Sequence, residues 1–170
     1  MNELRMDFWD AVGHWRCIPT NGNVNKAGRA TMGAGLAKQA TKRFPGIDLL
    51  LGKAIRINGN IVQAIAQYDQ KPGIIALANG APKMCGLVAF PVKHHWSEAA
   101  DLSLIESSCK QLLDMANSMQ DKMMGCRIIL PRVGCGNGGR DWITEVKPIL
   151  EMYFDERFWI VDHQTGTEKP

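Results

Sequence analysis

The sequence predicts an α/β fold, a three-layer α/β/α sandwich with a central mixed sheet. Short apolar, β-rich runs alternate along the chain with stretches of helical period, and helices are available for both faces of a sheet. Several of the runs are apolar throughout, as strands covered on both sides must be. At 170 residues and 45% hydrophobic content, the chain is long enough to bury about 70% of its unfolded surface around one core.

The β-rich runs are Arg5–Trp9, Trp15–Thr20, Ile61–Ala66, Gly73–Ala78, Gly86–Val92, Arg127–Pro131 and Phe158–Asp162. The first helix is expected from Leu36 to about Phe44, stopped by Pro45-Gly46, and the second from Ile47 to about Ile57, ending near Asn58-Gly59. After Ser97, the residues Leu102, Ile105, Cys109, Leu112, Leu113, Ala116 and Met119 recur at three- and four-residue steps, which lays one apolar stripe along a third helix. A last helix lies between Trp142 and Phe154, where Pro148 demands a late or irregular start: it falls in the second turn if Asp141 is the N-cap and in the first if Thr144 is. No repeat or linker divides the chain, so residues 1–163 form one domain and residues 164–170 a flexible tail.

Composition narrows the function classes. Twenty Lys+Arg against 17 Asp+Glu leave a formal charge of +3, too small and too dispersed along the sequence for the cationic face of a duplex-DNA binder. Nucleic acid is neither required nor excluded. No run approaches the 20 or so apolar residues of a membrane span, and the start, MNELRMDFWD, has no apolar signal region, so a soluble cytoplasmic protein is expected, most simply a monomer. Five cysteines (Cys17, Cys85, Cys109, Cys126, Cys135) with no C-x-x-C pair indicate neither a disulfide framework nor a zinc site.

Two glycine-rich segments stand out. Met32-Gly33-Ala34-Gly35 stands just before the first helix, and Gly134-Cys135-Gly136-Asn137-Gly138-Gly139 just after Arg127–Pro131. Glycines at such junctions let backbone N–H groups approach a phosphate, and a helix N-terminus adds partial positive charge, so two such loops suit a diphosphate held between them. The second loop matches G-x-G-x-x-G, but too little chain follows it for a Rossmann unit, and no phosphate-binding G-x-x-x-x-G-K-[ST] occurs. The ligand of such a sheet is expected at the carboxyl ends of the strands.

Asn21, after the apolar run ending at Thr20, is either a turn residue of the Asn-Gly pair or an amide for sugar hydroxyls. Asp7, near the end of the first run, is either a solvated carboxylate or an acceptor for an exocyclic amine. Lys93 closes the apolar run before His94-His95-Trp96. It is either a snorkelling surface lysine or a partly desolvated amine able to attack a carbonyl or an anomeric carbon. His94 and His95 alternate in direction on a strand and have no companion ligands, so no metal site is expected.

Taken in order, Ile18-Pro19-Thr20-Asn21-Gly22, Met32-Gly33-Ala34-Gly35-Leu36-Ala37, Pro91-Val92-Lys93-His94-His95-Trp96 and the run from Leu130 to Trp142 resemble the macrodomain family. The similarity spans about Arg5 to Asp162 and falls in the branch of the DNA ADP-ribosyl glycohydrolase antitoxins and the human terminal ADP-ribose protein glycohydrolase. The resemblance implies that Asp7, with Phe8 beside it, meets the adenine amine, although Met6 stands where the family usually has glycine. It implies that Asn21 and the segment Met32, Gly33, Ala34 and Gly35 meet the distal ribose and adjacent phosphate, and that Gly134, Cys135, Gly136, Asn137 and Gly138 cradle the diphosphate. Lys93 matches the lysine with which this branch removes ADP-ribose. In the human protein-directed enzyme a loop aspartate assists; that place aligns with Gly138, leaving Asp141, His94 and Glu98 as candidates for its role.

The implied partners are ADP-ribose and ADP-ribosylated DNA or protein, with no cofactor. The implied activity is hydrolysis of ADP-ribose from a DNA base or a protein carboxylate. A non-catalytic ADP-ribose reader is the alternative, and an enzyme for a small ADP-ribose derivative a third.

Overall fold

The structure is a computed structural model that describes residues 1–68, 75–76, 85–118 and 127–163. Seven strands are described: β1 (Asn2–Met6), β2 (Trp15–Asn21), β3 (Gln63–Tyr68), β4 (Ile75–Ala76), β5 (Cys85–Lys93), β6 (Ile128–Pro131) and β7 (Phe158–His163). They form one sheet in the order β1-β7-β6-β2-β5-β3-β4. β1, β7, β6, β2 and β5 run parallel, while β3 is antiparallel to β5 and β4 to β3. Five parallel strands therefore end on one edge of the sheet, and that edge holds the site.

Helices α1 (Gly35–Arg43) and α2 (Ile47–Asn58) cover one face, and α3 (Leu102–Ser118) and α4 (Lys147–Tyr153) the other. The predicted three layers and mixed sheet are present. Alternation along β2 separates two cores: Cys17 packs with Val88, Phe90, Ile105, Leu112 and Leu130 on the α3 side, and Ile18 packs with Leu36, Ala40, Ile47, Leu51 and Leu87 on the α1–α2 side. The α3 stripe is as expected, with Ile105, Cys109, Leu112 and Ala116 buried. Asp101 caps that helix, its Oδ1 accepting from the Ser103 and Leu104 amides at 2.8 and 3.3 Å. These donors hold its carboxyl below the usual carboxylate range.

One expectation is corrected. The first strand is Asn2–Met6 and not Arg5–Trp9, because Asp7 Oδ1 accepts the Trp9 amide at 2.7 Å and the Asp7 carbonyl accepts the Asp10 amide at 3.2 Å, folding those residues into a turn. Phe8 drops from that turn into the core, fully buried. The late or irregular helix start expected at Pro148 is present, in the form of a wider coil. A π-helical turn at Trp142–Val146 precedes α4, Asp141 caps it by accepting from the Thr144 amide at 2.7 Å, and Pro148 sits in the first turn of α4, where an N–H has no partner to lose. Both alternatives weighed for this helix are thus combined. The run Gly73–Ala78 is described only at Ile75–Ala76, and Met119, Cys126 and the tail of residues 164–170 lie outside the described residues.

The segment between β2 and α1 is fixed at many points. Asn21 Nδ2 donates to the Thr31 carbonyl at 2.9 Å, and Asn23 Nδ2 to Thr31 Oγ1 at 2.7 Å. Arg29 Nη1 donates to both carboxylate oxygens of Asp48 on α2, each at 2.9 Å, and the Ala30 amide donates to the Asp48 carbonyl. Gly52 makes this docking possible, since a Cβ there would overlap the Gly28 carbonyl and approach the Ala30 amide at 2.8 Å. We expect Gly52→Ala to destabilise the fold by about 2 kcal/mol despite its better helix propensity, because backbone must move to admit the methyl group. Urea unfolding with the wild type as reference checks this.

Candidate functional site

The carboxyl ends of β2, β5, β6 and β7 open into a cavity of about 920 Å³. Its walls hold Asn21 from β2, Lys93 from β5, and both glycine segments: Met32, Gly33, Ala34 and Gly35 on one side, Gly134, Cys135, Gly136, Asn137 and Gly138 on the other. All but two of the residues singled out from the sequence as ligand contacts therefore meet in one place. The two exceptions are Phe8, in the core, and Asp7, committed to the turn after β1; neither lines this cavity.

The second glycine loop is folded on itself. The Arg140 amide donates to the Gly134 carbonyl, Gly139 to Gly136, and Ala100, just before α3, to Gly138. Gly134 has a φ of 75°, which favours glycine, and a Cβ on Gly138 would overlap the Gly134 carbonyl and lie 2.8 Å from Ala100 Cβ. At Gly136, by contrast, a Cβ would meet nothing within 4 Å, and the same holds for Gly33 across the cavity. The amides of Gly136, Asn137 and Gly138 find no protein acceptor among the described residues. Facing them, α1 begins at Gly35 with no side chain capping it, so its first-turn N–H groups and the positive end of its dipole border the same space. The arrangement is a two-sided cradle of backbone donors, suited to an anion with several oxygens.

Lys93 is 8% exposed, and its Nζ donates to the Asn137 carbonyl at 2.6 Å. No carboxylate lies within 4 Å of that nitrogen among the described residues. A surface-lysine reading is thereby set aside: the amine is inside, pinned to the loop whose amides form the cradle. Its own carbonyl accepts from Asn60 Nδ2 at 2.9 Å, and the His94 carbonyl accepts from the Gly22 amide at 3.1 Å, which ties the end of β5 to the end of β2.

Of the three groups considered as helpers for Lys93, Asp141 alone lines the cavity. Its Oδ1 takes the Thr144 amide and hydroxyl, each at 2.7 Å, and these bonds hold its carboxyl below the usual range. His94 pairs with Asp101 at 3.2 Å, and Glu98 caps the His95 amide at 3.0 Å. Asn21 lines the wall, yet one N–H and one lone pair of its amide already close the loop to Thr31 and Asn23; one of each is left for a ligand.

Sequence reasoning missed Trp96, Arg132, Trp142 and Asp162, all of which line the cavity. Arg132 pairs with Asp162 at 3.2 Å and with Glu3 at 3.4 Å, and lies over the Trp142 ring. Trp96 and Trp142 stand within motifs already quoted, so their position carried a signal; the Arg132 pairs depend on β1 and β7 lying side by side and had none. Among the described residues, no cluster of three His, Cys, Asp or Glu side chains is placed to hold a metal, and no helix is long and apolar enough to cross a membrane.

No family model matches the chain. Among curated proteins it is 26% identical over 138 residues to a DNA ADP-ribosyl transferase–DNA ADP-ribosyl glycohydrolase fusion protein of Thermosipho africanus, covering 77% of this chain and 34% of that protein. It is 32% identical over 128 residues to a DNA ADP-ribosyl glycohydrolase of Thermus aquaticus, covering 75% of this chain and 31% of that protein. The chain thus spans about a third of the length of the curated relatives it matches. Among solved structures it is similar to the macrodomain of Mycobacterium tuberculosis DarG, with a TM-score of 0.68, 22% identity, and 91% and 92% of the two chains covered. It is also similar to Thermosipho africanus DarTG in complex with ADP-ribose, with a TM-score of 0.66, 20% identity, and 93% of this chain and 40% of that one covered.

Cys135 lies in the cradle without the chemistry of a nucleophile, since burial pushes its thiol up to about 11. The protonated form holds throughout the neutral range. Its alkylation by iodoacetamide should therefore rise about tenfold per pH unit from 7 to 9, with no plateau below pH 10, as mass spectrometry of the Cys135 peptide would show.

Proposed function

Starting from a chain that is a macrodomain, similar over three quarters of its length to DNA ADP-ribosyl glycohydrolases, we propose that the cavity binds ADP-ribose and that the protein hydrolyses ADP-ribose from a modified macromolecule. The observation that carries this reading is the cradle. Three uncommitted amides at Gly136, Asn137 and Gly138 face the uncapped start of α1, with one buried amine, Lys93, attached to the same loop. A diphosphate between the two glycine segments puts the distal ribose toward Asn21 and Lys93, the two polar side chains at the ends of the central strands β2 and β5.

In this reading Lys93, as a neutral amine, attacks the anomeric carbon of the distal ribose. A C–N bond forms, the glycosidic bond to the attached group breaks with its electron pair, and the leaving group takes up a proton. Water then adds to the same carbon, the C–N bond breaks, and the amine is restored as free ADP-ribose departs. The Asn137 carbonyl holds Nζ at the cavity wall in the resting protein. Asp141, the carboxylate nearest in chain to the loop that lines the cavity, is assigned the proton transfer. The names of the relatives favour DNA over protein as the attached macromolecule.

The second reading is an ADP-ribose reader without chemistry. It draws on one observation: no carboxylate accompanies Lys93, and Gly138, aligned with the assisting loop aspartate of the human enzyme, has no room for any side chain.

Saturating ADP-ribose at about 100 times its dissociation constant should stabilise the protein by about 2.7 kcal/mol, a rise of several degrees in Tm that AMP does not reproduce. Gly136→Val fills space that no protein atom occupies, and is expected to remove that shift while leaving the Tm of the free protein within about 2 °C. Lys93→Ala is expected to keep the shift and to slow single-turnover release of ADP-ribose from modified DNA at least 100-fold. Equal release by this variant excludes the lysine mechanism, and binding without release in the wild type selects the reader.

A further inference from the structure

β1 stands at one end of the strand order, with β7 on its inner side and no strand on its outer side among the described residues. In a parallel pair each residue turns its N–H and its C=O to the same side and successive residues alternate, so every second residue of β1 aims its backbone groups away from β7. Among the described residues, no turn or loop backbone bonds to Asn2–Met6 there. An open row of donors and acceptors is a template for a further strand. Proteins commonly block such an edge with charges, and β1 carries two, Glu3 and Arg5, both exposed. They are two residues apart and therefore share a face of the sheet, the one on which Glu3 meets Lys147 of α4 at 2.6 Å and Arg132 at 3.4 Å. Leu4, between them, packs against the core of the opposite face.

The placing of the two charges decides which strand the edge accepts. For an antiparallel strand of a second copy, related by a two-fold axis normal to the sheet, the faces stay continuous only if opposed residues have the same parity, since a one-residue slip turns every side chain to the other face. The registers that qualify centre on Glu3, Leu4 or Arg5. Centred on Glu3 or on Arg5, the strand sets that residue against its own copy, and like charges directly opposite repel. Centred on Leu4, it sets Glu3 against Arg5 on both sides of the axis, Asn2 against Met6, and Leu4 against Leu4. The strand is thus self-complementary in the register that also pairs all of its residues. An unrelated strand has no such match. α4 lies along β1, held by Lys147 on Glu3 and by Asn2 Nδ2, which donates to the Glu156 carbonyl just past the helix at 2.9 Å. With its copy it flanks the seam on one side, and Met152, 65% exposed, is the large apolar side chain that it offers there.

We propose that β1 pairs with β1 of a second copy of this chain, antiparallel and centred on Leu4, so that one sheet continues across a two-fold axis. Glu3 of each copy meets Arg5 of the other and keeps its bond to Lys147. Because the paired strands run in opposite directions, the two cavities open at opposite edges of the joined sheet, and neither is covered. A seam of five residues per copy is a small interface, so the dimer is weak and depends on concentration, and the monomer expected from the sequence is its dilute state. The pairing is independent of any ADP-ribose.

Sedimentation velocity between about 5 and about 500 µM protein reads the pairing. The mean mass of the wild type is expected to rise from 18.8 kDa toward twice that value, and hydrogen exchange in the peptide carrying residues 2–6 to slow as it does so. Arg5→Glu turns both cross-strand pairs into repulsions, and is expected to weaken association at least about tenfold while unfolding as cooperatively as the wild type. Glu3→Lys is expected to weaken it likewise. An equimolar mixture of the two variants is expected to associate as the wild type does, because each Glu of one copy then meets a Lys or Arg of the other. A wild type that stays at 18.8 kDa throughout overturns the proposal, as does association that Arg5→Glu leaves unchanged. Two folded variants that fail to restore each other overturn the register about Leu4. If Glu3→Lys, deprived of its bond to Lys147, does not fold, exchange decides in its place: association of the wild type without slowing at residues 2–6 excludes the β1 seam. Absence of a thermal response to ADP-ribose in the wild type counts against the cavity reading alone, because the pairing is measured without that ligand.

Discussion

At Gly138 the chain passes so close to the Gly134 carbonyl and to Ala100 that no side chain fits, and the site is organised around that approach. The loop closes on itself through the Gly139 and Arg140 amides and is held to the start of α3 through Ala100. The donors that remain unspent lie along the cavity wall. A loop of residues with Cβ atoms would open and turn those amides elsewhere. The same closure sets the Asn137 carbonyl where Lys93 Nζ reaches it at 2.6 Å, so the position of the amine and the position of the anion cradle are consequences of one backbone conformation.

The rest of the fold supplies the edge on which this loop stands. Five parallel strands finish together, and each wall of the cavity is the continuation of one of them: Asn21 from β2, Lys93 from β5, the glycine loop from β6 and Asp162 from β7. Cross-strand ties keep these ends in register, with Asn60 holding the Lys93 carbonyl and Gly22 holding that of His94. Arg132 joins the glycine loop to Glu3 on β1 and Asp162 on β7, so even the edge strand contributes to the shape of the wall.

Much of this was legible in the sequence because its cause is local. Apolar runs and a helical stripe from Leu102 to Ala116 depend on periodicity, and glycine clusters after strands depend on what a backbone needs to approach an anion. The first strand was misplaced because Met6, Phe8 and Trp9 look like strand residues, and only the Asp7 side chain bonding to the Trp9 amide turns them into a loop. Pro148 signalled an irregular helix start but not its form, since a π-helical turn is a compromise between the Asp141 cap and the proline. The fixing of Gly22–Thr31 had no local signal either, since its bonds run to Asp48 and Arg56 on α2 and its backbone passes close over Gly52, contacts that no local pattern encodes.

That last segment has a thermodynamic corollary. A lid that must be ordered by its ligand loses chain entropy at the moment of binding and buries fresh surface, which gives slow association and a large negative heat-capacity change. Here the wall between β2 and α1 is already closed by the Asn21 amide, the Arg29 pair with Asp48 and the contact of Gly28 with Gly52. Its ordering belongs to folding and not to recognition. Ligand capture by such a wall carries the signature of a rigid receptor: a small heat-capacity change, an enthalpy dominated by hydrogen bonds to the cradle, and an association rate set by diffusion into the opening.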